Sequence, residues 1–156
     1  MKIGIITDTH DNKALLKKAN EVFAEHHVDC VLHAGDITSP SSVQALAEID
    51  HARFIAVFGN CDCDSSSLES VVSCHKGEIH MGVYKGNIGD KKLLMAHDPR
   101  ALGDMAENGD FDLIVYGHTH VQDIHRDGDT LVINPGQSWA VVLDLENMDY
   151  ETILLQ

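Results

Sequence analysis

The sequence predicts an α/β fold: a parallel sheet carrying helices, with further strands beyond it. Three observations point there. Apolar runs alternate with amphipathic runs in the order β-α-β-α-β through the first half of the chain, the pattern of a parallel sheet with right-handed crossovers. After residue 116 the pattern changes to strands alone. Five short polar motifs each follow directly on an apolar run, the place where open α/β sheets bind ligands.

The first run, residues 2–7, is short, almost wholly apolar and followed at once by polar residues, so it reads as a buried strand and not as a leader peptide. Residues 13–27 predict a helix, because Leu15, Ala19, Val22, Phe23 and His26 share one face at helical spacing. Residues 30–33 predict a second strand. Residues 43–49 predict a second helix, with Ser39 and Ser41 beside Pro40 as cap candidates. Residues 53–58 predict a third strand. The Ser-rich stretch from Cys63 to about His75 predicts loop with at most a short helix. Residues 79–84 and 91–96 read as two strands joined by a turn over 85–90, residues 101–108 as a helix and 113–116 as a buried strand. Strands over about 121–126, 130–134, 139–145 and 149–154 follow, consecutive and antiparallel, with turns at Asp127-Gly128-Asp129, Asn134-Pro135-Gly136 and Glu146-Asn147. Two sheets with helices outside them satisfy all of this.

Bulk properties narrow the function. The chain of 156 residues, 44% hydrophobic, suits one domain spanning residues 1–156. Its 25 acidic and 11 basic residues give a net charge of −14, which repels a phosphate backbone and argues against long nucleic acid as a partner. No apolar run is long enough for a membrane helix. The four cysteines, Cys30, Cys61, Cys63 and Cys74, lack paired Cys-x-x-Cys spacing and read as reduced thiols of a cytoplasmic protein. Histidine is in surplus at 11, beside abundant aspartate, as a metal site would produce.

The five motifs are Asp8-Thr9-His10, Gly35-Asp36, Gly59-Asn60, Ala96-His97 and Gly117-His118-Thr119-His120. Taken singly they are weak: Gly-Asp is an ordinary turn, and a lone histidine is usually a surface residue. Five in order, each at a strand end, are not weak. Asp8 and His10 are two apart, as are His118 and His120; residues two apart in an extended segment point the same way, so each pair could clamp one ion. Imidazole with carboxylate suits transition metals better than calcium. The seven candidates Asp8, His10, Asp36, Asn60, His97, His118 and His120 exceed what one ion needs and suit two.

With these motifs the chain resembles the calcineurin-like metallophosphoesterase family, and most of all its small stand-alone prokaryotic phosphodiesterases. The resemblance runs from Asp8 to the Asn134-Pro135-Gly136 turn. It implies a four-layer α/β/β/α sandwich, with two mixed β-sheets inside and helices on the outer faces. It implies Asp8, His10 and His120 on one divalent metal ion, Asn60, His97 and His118 on a second, and Asp36 bridging both. It implies hydrolysis of a small-molecule phosphate ester, a phosphodiester above all, by a metal-bridging hydroxide attacking phosphorus. Manganese is favoured, with nickel, iron, zinc or magnesium as alternatives, and a homodimer is common among small members. The competing class is a catalytically weak scaffold or protein-interaction module on the same fold.

Several residues are read beside that core. Asn12 is a candidate substrate contact and equally a helix cap. Arg100 is a candidate phosphate contact, with a plain surface arginine as the simpler reading. Cys61 stands where many relatives place a histidine that protonates the leaving oxygen, and Asp62 beside it could orient an imidazole there. The fourth motif, His97-Asp98-Pro99, carries an extra acid where relatives often have His-Gly-His. His33 is a candidate buried partner of the Gly35-Asp36 motif. His26, His27, His51, His75, His80 and His125 read as surface residues.

Overall fold

The computed structural model describes residues 1–47 and 52–156. The elements run β1 (Lys2–Ile6), α1 (Lys13–Glu25), β2 (Cys30–His33), α2 (Pro40–Ala47), β3 (Arg53–Val57), α3 (Ser65–Cys74), β4 (Glu78–His80), β5 (Val83–Ile88) and β6 (Lys91–Ala96). A 3₁₀ turn (Pro99–Ala101), α4 (Gly103–Asn108), β7 (Leu113–Val115), β8 (Asp123–Asp127), β9 (Thr130–Asn134), β10 (Trp139–Asp144) and β11 (Asp149–Leu154) complete it. The expected end of the second helix at Ile49, and His51, lie outside the described residues.

One sheet has six strands in the order β11-β10-β1-β2-β3-β4, the other five in the order β5-β6-β7-β9-β8. β1, β2, β3 and β4 are mutually parallel, and β10 joins β1 antiparallel. In the second sheet β6, β7 and β9 are parallel, with β5 and β8 antiparallel at the edges. Both sheets are therefore mixed.

Side-chain alternation along the strands builds three apolar interfaces, and so four layers. Ile3 and Ile5 of β1, with Leu32 and Ile55, meet Leu93, Met95, Val115 and Ile133 of the second sheet in a cluster between the sheets. The intervening residues face outward. Ile6, Val31 and Phe54 pack on Leu16, Ala19 and Phe23 of α1, whose predicted apolar face is buried except at His26. On the far side Leu94, Ile114 and Val132 pack against Leu102 and Met105. Among the described residues no helix is long and apolar enough to cross a membrane.

Three expectations change. The Ser-rich stretch folds into the ten-residue helix α3, capped by Asp64, whose carboxylate accepts from Ser67 N at 3.1 Å. Leu68 and Val72 anchor this helix in the core, and so tertiary burial outweighs a serine-rich local preference. The expected strand over 79–84 is two strands in different sheets: β4 lies parallel to β3, the chain bends at Met81-Gly82, with Gly82 at φ 72°, and β5 starts the second sheet. The tail strands are not one antiparallel run. β8–β9 and β10–β11 are antiparallel hairpins, but β9 pairs parallel with β7 while β10 crosses to β1.

Gly4 shows how closely α1 sits on β1: a Cβ there would lie 2.5 Å from the buried Phe23 ring. Gly4→Ala should cost about 1–3 kcal/mol, as overpacking does. A lower urea midpoint at unchanged m is the expected reading, and adding Phe23→Leu should cost less than the two single losses summed.

Candidate metal centre

All five motifs leave strands at the same edge of the two sheets. Asp8 and His10 follow β1, Asp36 follows β2, Asn60 follows β3, His97 follows β6, and His118 and His120 follow β7. Backbone hydrogen bonds lash these loops together: Asp8 N donates to Gly35 O (3.0 Å), His10 N to Asp36 O (3.1 Å) and Gly117 N to His97 O (3.0 Å). The two sheets are joined at this edge by His118 N, which donates to Asp8 Oδ2 at 3.1 Å.

Ligand atoms of Asp8, His10, Asp36 and His120 lie within 4.8 Å of one another, so these four could hold an ion. Asp8 Oδ1 is 3.1 Å from His120 Nε2 and 3.8 Å from His10 Nε2. A second group forms beside them. Asn60 Oδ1 is 2.9 Å from His97 Nε2 and 3.1 Å from His118 Nδ1, and the two imidazole nitrogens are 3.3 Å apart. Asp36 Oδ2 stands between the groups, 3.5 Å from both His10 Nε2 and His97 Nε2.

The chemistry of these atoms fits cations. Asp8 Oδ1 and His10 Nε2 are buried without a hydrogen-bond partner, a costly state that an ion would relieve. His97 Nδ1 donates to Ala34 O at 2.8 Å, which leaves Nε2 as a lone pair aimed at the Asn60 oxygen. A cation placed between this nitrogen and the Asn60 oxygen, 2.9 Å apart, would be held by both. Each carboxylate has one oxygen anchored and one free: Asp8 Oδ2 accepts from Thr7 Oγ1 and His118 N, and Asp36 Oδ1 accepts from Cys61 N.

The backbone bends hard to achieve this. Asp8, His10, Asp36, His118 and His120 all have positive φ, between 41° and 68°. Non-glycine residues there cost of the order of 1–3 kcal/mol each and persist only where their surroundings hold them. The extended geometry expected for the two-apart pairs is therefore not observed; Asp8 and His10 still fall in one ligand group, but the second pair is split. His118 sides with Asn60 and His97, whereas His120 reaches Asp8. Gly59 and Gly117 are needed for close approach: a Cβ at Gly59 would overlap Asp36, and one at Gly117 would overlap Thr7 and Asp8.

Around this centre the other candidates are placed as follows. Asn12 caps α1, its Oδ1 accepting from Leu15 N at 3.1 Å, and it also lines a cleft with Asp8 and His10. Arg100 is turned onto Asp98, with Nε 2.9 Å from Oδ2, and this partner keeps the Asp98 carboxyl down at about 2. The buried Asp62 carboxylate is engaged by the backbone, accepting from Asp36 N, Thr38 N and Gly59 N. That brace between the second and third motifs escaped the sequence, since nothing local marks where a carboxylate finds its donors. The Cys61 thiol is pushed up, by loss of solvation first and then by its bond with Asp36. All four cysteines are free thiols, and Cys30 is raised to about 12 by burial. His27, His75 and His125 are exposed, while His26 and His80 are half-buried and bond to Val22 O and Glu78.

The model of the calcineurin-like phosphoesterase superfamily domain matches residues 1–149. A phosphodiesterase of Methanocaldococcus jannaschii is 32% identical over 167 residues, covering 100% of each chain. The solved structure of an archaeal phosphodiesterase superimposes with a TM-score of 0.91 at 31% identity, over 99% of each chain. Vps29 of Entamoeba histolytica, solved with zinc, gives a TM-score of 0.68 at 16% identity over 100% of both chains, a likeness of fold alone.

His33 lies fully buried beneath this centre. Its Nδ1 accepts from Gly35 N (3.2 Å) and its Nε2 bonds Thr9 Oγ1 (3.0 Å), so the neutral ring fits and a second proton would face an N–H. Burial, with repulsion from His97, lowers its pKa to about 3. The unfolded chain therefore takes up this proton as pH falls through about 6.5 while the native state does not, and stability present above that pH drains away towards acid. In the chelated protein this residue should remove about 2 kcal/mol of unfolding free energy between about pH 7 and pH 5. Urea titrations of wild type and His33→Gln over that interval test it; identical slopes would count against the assignment.

Proposed function

The chain belongs to the calcineurin-like phosphoesterase superfamily, and we propose that it is a metal-dependent phosphoester hydrolase that cleaves phosphodiesters with two divalent cations. One observation supports two ions over one: Asp36 Oδ2 is 3.5 Å from both His10 and His97 Nε2, at the seam of two ligand groups. In this reading Asp8, His10 and His120 hold one cation, Asn60, His97 and His118 the other, and Asp36 bridges.

Bound there, two divalent cations supply positive charge for the phosphoryl oxygens and a water acidified towards neutral pH. The protein's part is positioning. His97 is locked through its Nδ1–H, Asp8 and Asp36 each through one carboxylate oxygen, and the Asp62 brace holds the second motif against the third. Asn60 contributes a ligand oxygen without adding a charge that would repel phosphate. Asn12 Nδ2 is free to donate to a substrate oxygen while its Oδ1 caps α1. Arg100, held by Asp98, is a substrate contact only through its outer face. We read the whole chain as one domain, supported by the apolar cluster shared between the sheets. We place the protein in the cytoplasm, where its four thiols stay reduced. Manganese is our favoured ion, and the mixture of imidazole and carboxylate ligands suits transition metals such as manganese, iron or zinc better than calcium. Seven ligand side chains facing inward favour an enzyme over a scaffold.

Chelation should abolish hydrolysis of an aryl phosphodiester and manganese should restore it, with metal content measured in parallel. Full turnover in protein shown to be metal-free would refute the reading. Within the site, Asp36→Ala should lower kcat/KM at least about tenfold more than Asn60→Ala, since an outer partner alone costs about 10–100-fold and Asp36 serves both groups. Equal losses in folded variants would argue against a bridge.

A further inference from the structure

Two clefts flank the centre, and they differ in character. One, about 240 Å³, is lined by Asp8, Thr9, His10, Asn12, Gln137, Ser138 and Gln156, with Leu15 as its one apolar side chain. The other, about 300 Å³, has Asn60, His97 and His118 at its inner end and Phe58, Met81 and Ala101 as walls. Met81 is the most exposed large apolar side chain among the described residues, at 74%. It sits on the bend where the chain leaves one sheet for the other, so no neighbouring layer covers it.

The rim of this second cleft carries two opposite charges that cancel. Arg100 Nε is 2.9 Å from Asp98 Oδ2 and 3.1 Å from Oδ1, and Arg100 N donates to Asp98 Oδ1 at 2.9 Å. The Asp98 carboxylate also stands 4.0 Å from His118 Nε2. The guanidinium charge is offset by the carboxylate it bonds, and that carboxylate opposes a further anion in the cleft. The cleft thus offers apolar surface continuous with the ligand group and no surplus positive charge.

Resting on the phosphodiesterase reading, we infer that the Met81 cleft receives an uncharged apolar ester group of the substrate, while the polar cleft faces the other substituent. The preferred diester then joins an aryl or comparably apolar group to a polar one. Met81 acts as the movable apolar wall, a role that a flexible thioether suits.

Phosphinates test this without any ester bond to cleave. Methyl(phenyl)phosphinate and dimethylphosphinate are both monoanions and differ by one phenyl group. Calorimetry with the manganese-loaded protein should show the phenyl compound binding about tenfold more tightly, the worth of burying most of a ring face. Met81→Ser should cut that ratio to about threefold or less, leaving dimethylphosphinate unchanged, whereas Met81→Leu should preserve it. The residue is exposed, so both variants should melt as wild type does. Equal affinities in the wild type, or a ratio untouched by Met81→Ser, overturn the inference while leaving the enzyme reading intact. If neither phosphinate binds to protein with measured manganese uptake, the enzyme reading falls and this inference with it.

Discussion

Two buried carboxylates, Asp8 and Asp36, share one small space with His10 and His120, and the rest of this edge of the molecule is arranged around that fact. Burying two like charges together is expensive unless something positive or something donating meets them. The protein supplies donors to one oxygen of each: Thr7 and His118 N for Asp8, Cys61 N for Asp36. It supplies none to Asp8 Oδ1. The division is directional. Anchored oxygens face protein, free ones face the cavity, and the unmet cost is concentrated where cations would cancel it. The positive φ angles and the glycines at 59 and 117 follow from the same demand, since five loops cannot bring their side chains this close by regular geometry.

How much of this could be read beforehand depends on the range of the forces involved. α1 was legible because Leu15, Ala19, Val22 and Phe23 repeat at helical spacing and their burial is settled within the helix itself. The five motifs were legible because an apolar strand that ends abruptly in Asp, Asn or His advertises its end. The parting of β4 from β5 was not, because residues 79–84 keep one local pattern while the bend at Met81-Gly82 is decided by which sheet has a free edge. The tail misled for a related reason. Local antiparallel pairing is true of β8–β9 and β10–β11, but the step from β9 to β10 changes sheets, and no residue between them announces it. The sharing-out of His118 and His120 between two groups was implied by the family resemblance but hidden in the spacing: two residues apart suggests one direction only if the backbone is extended, and here it is left-handed at both.

Position 61 shows how a motif can keep its frame while losing a part. Asp62 braces Asp36, Thr38 and Gly59 through three backbone hydrogen bonds, which serves the metal ligands whatever occupies position 61. Cys61 contributes its backbone N–H to Asp36, again independent of side chain. The loop therefore stays built for positioning whatever side chain stands at 61.

The site and the fold are coupled in one direction only. Three apolar interfaces hold the four layers, and none of their residues is a candidate metal ligand. Hydrophobic burial of that extent does not need ions, so the layers should persist when cations leave. What the cations oppose is confined to the rim, namely the repulsion of Asp8 and Asp36 and the strain of five left-handed residues. Binding to the native state alone then adds stability by mass action on top of a fold that already stands. The arrangement lets a strained and highly charged centre sit at one edge, because the energy that tolerates it is gathered in the core, away from the chemistry.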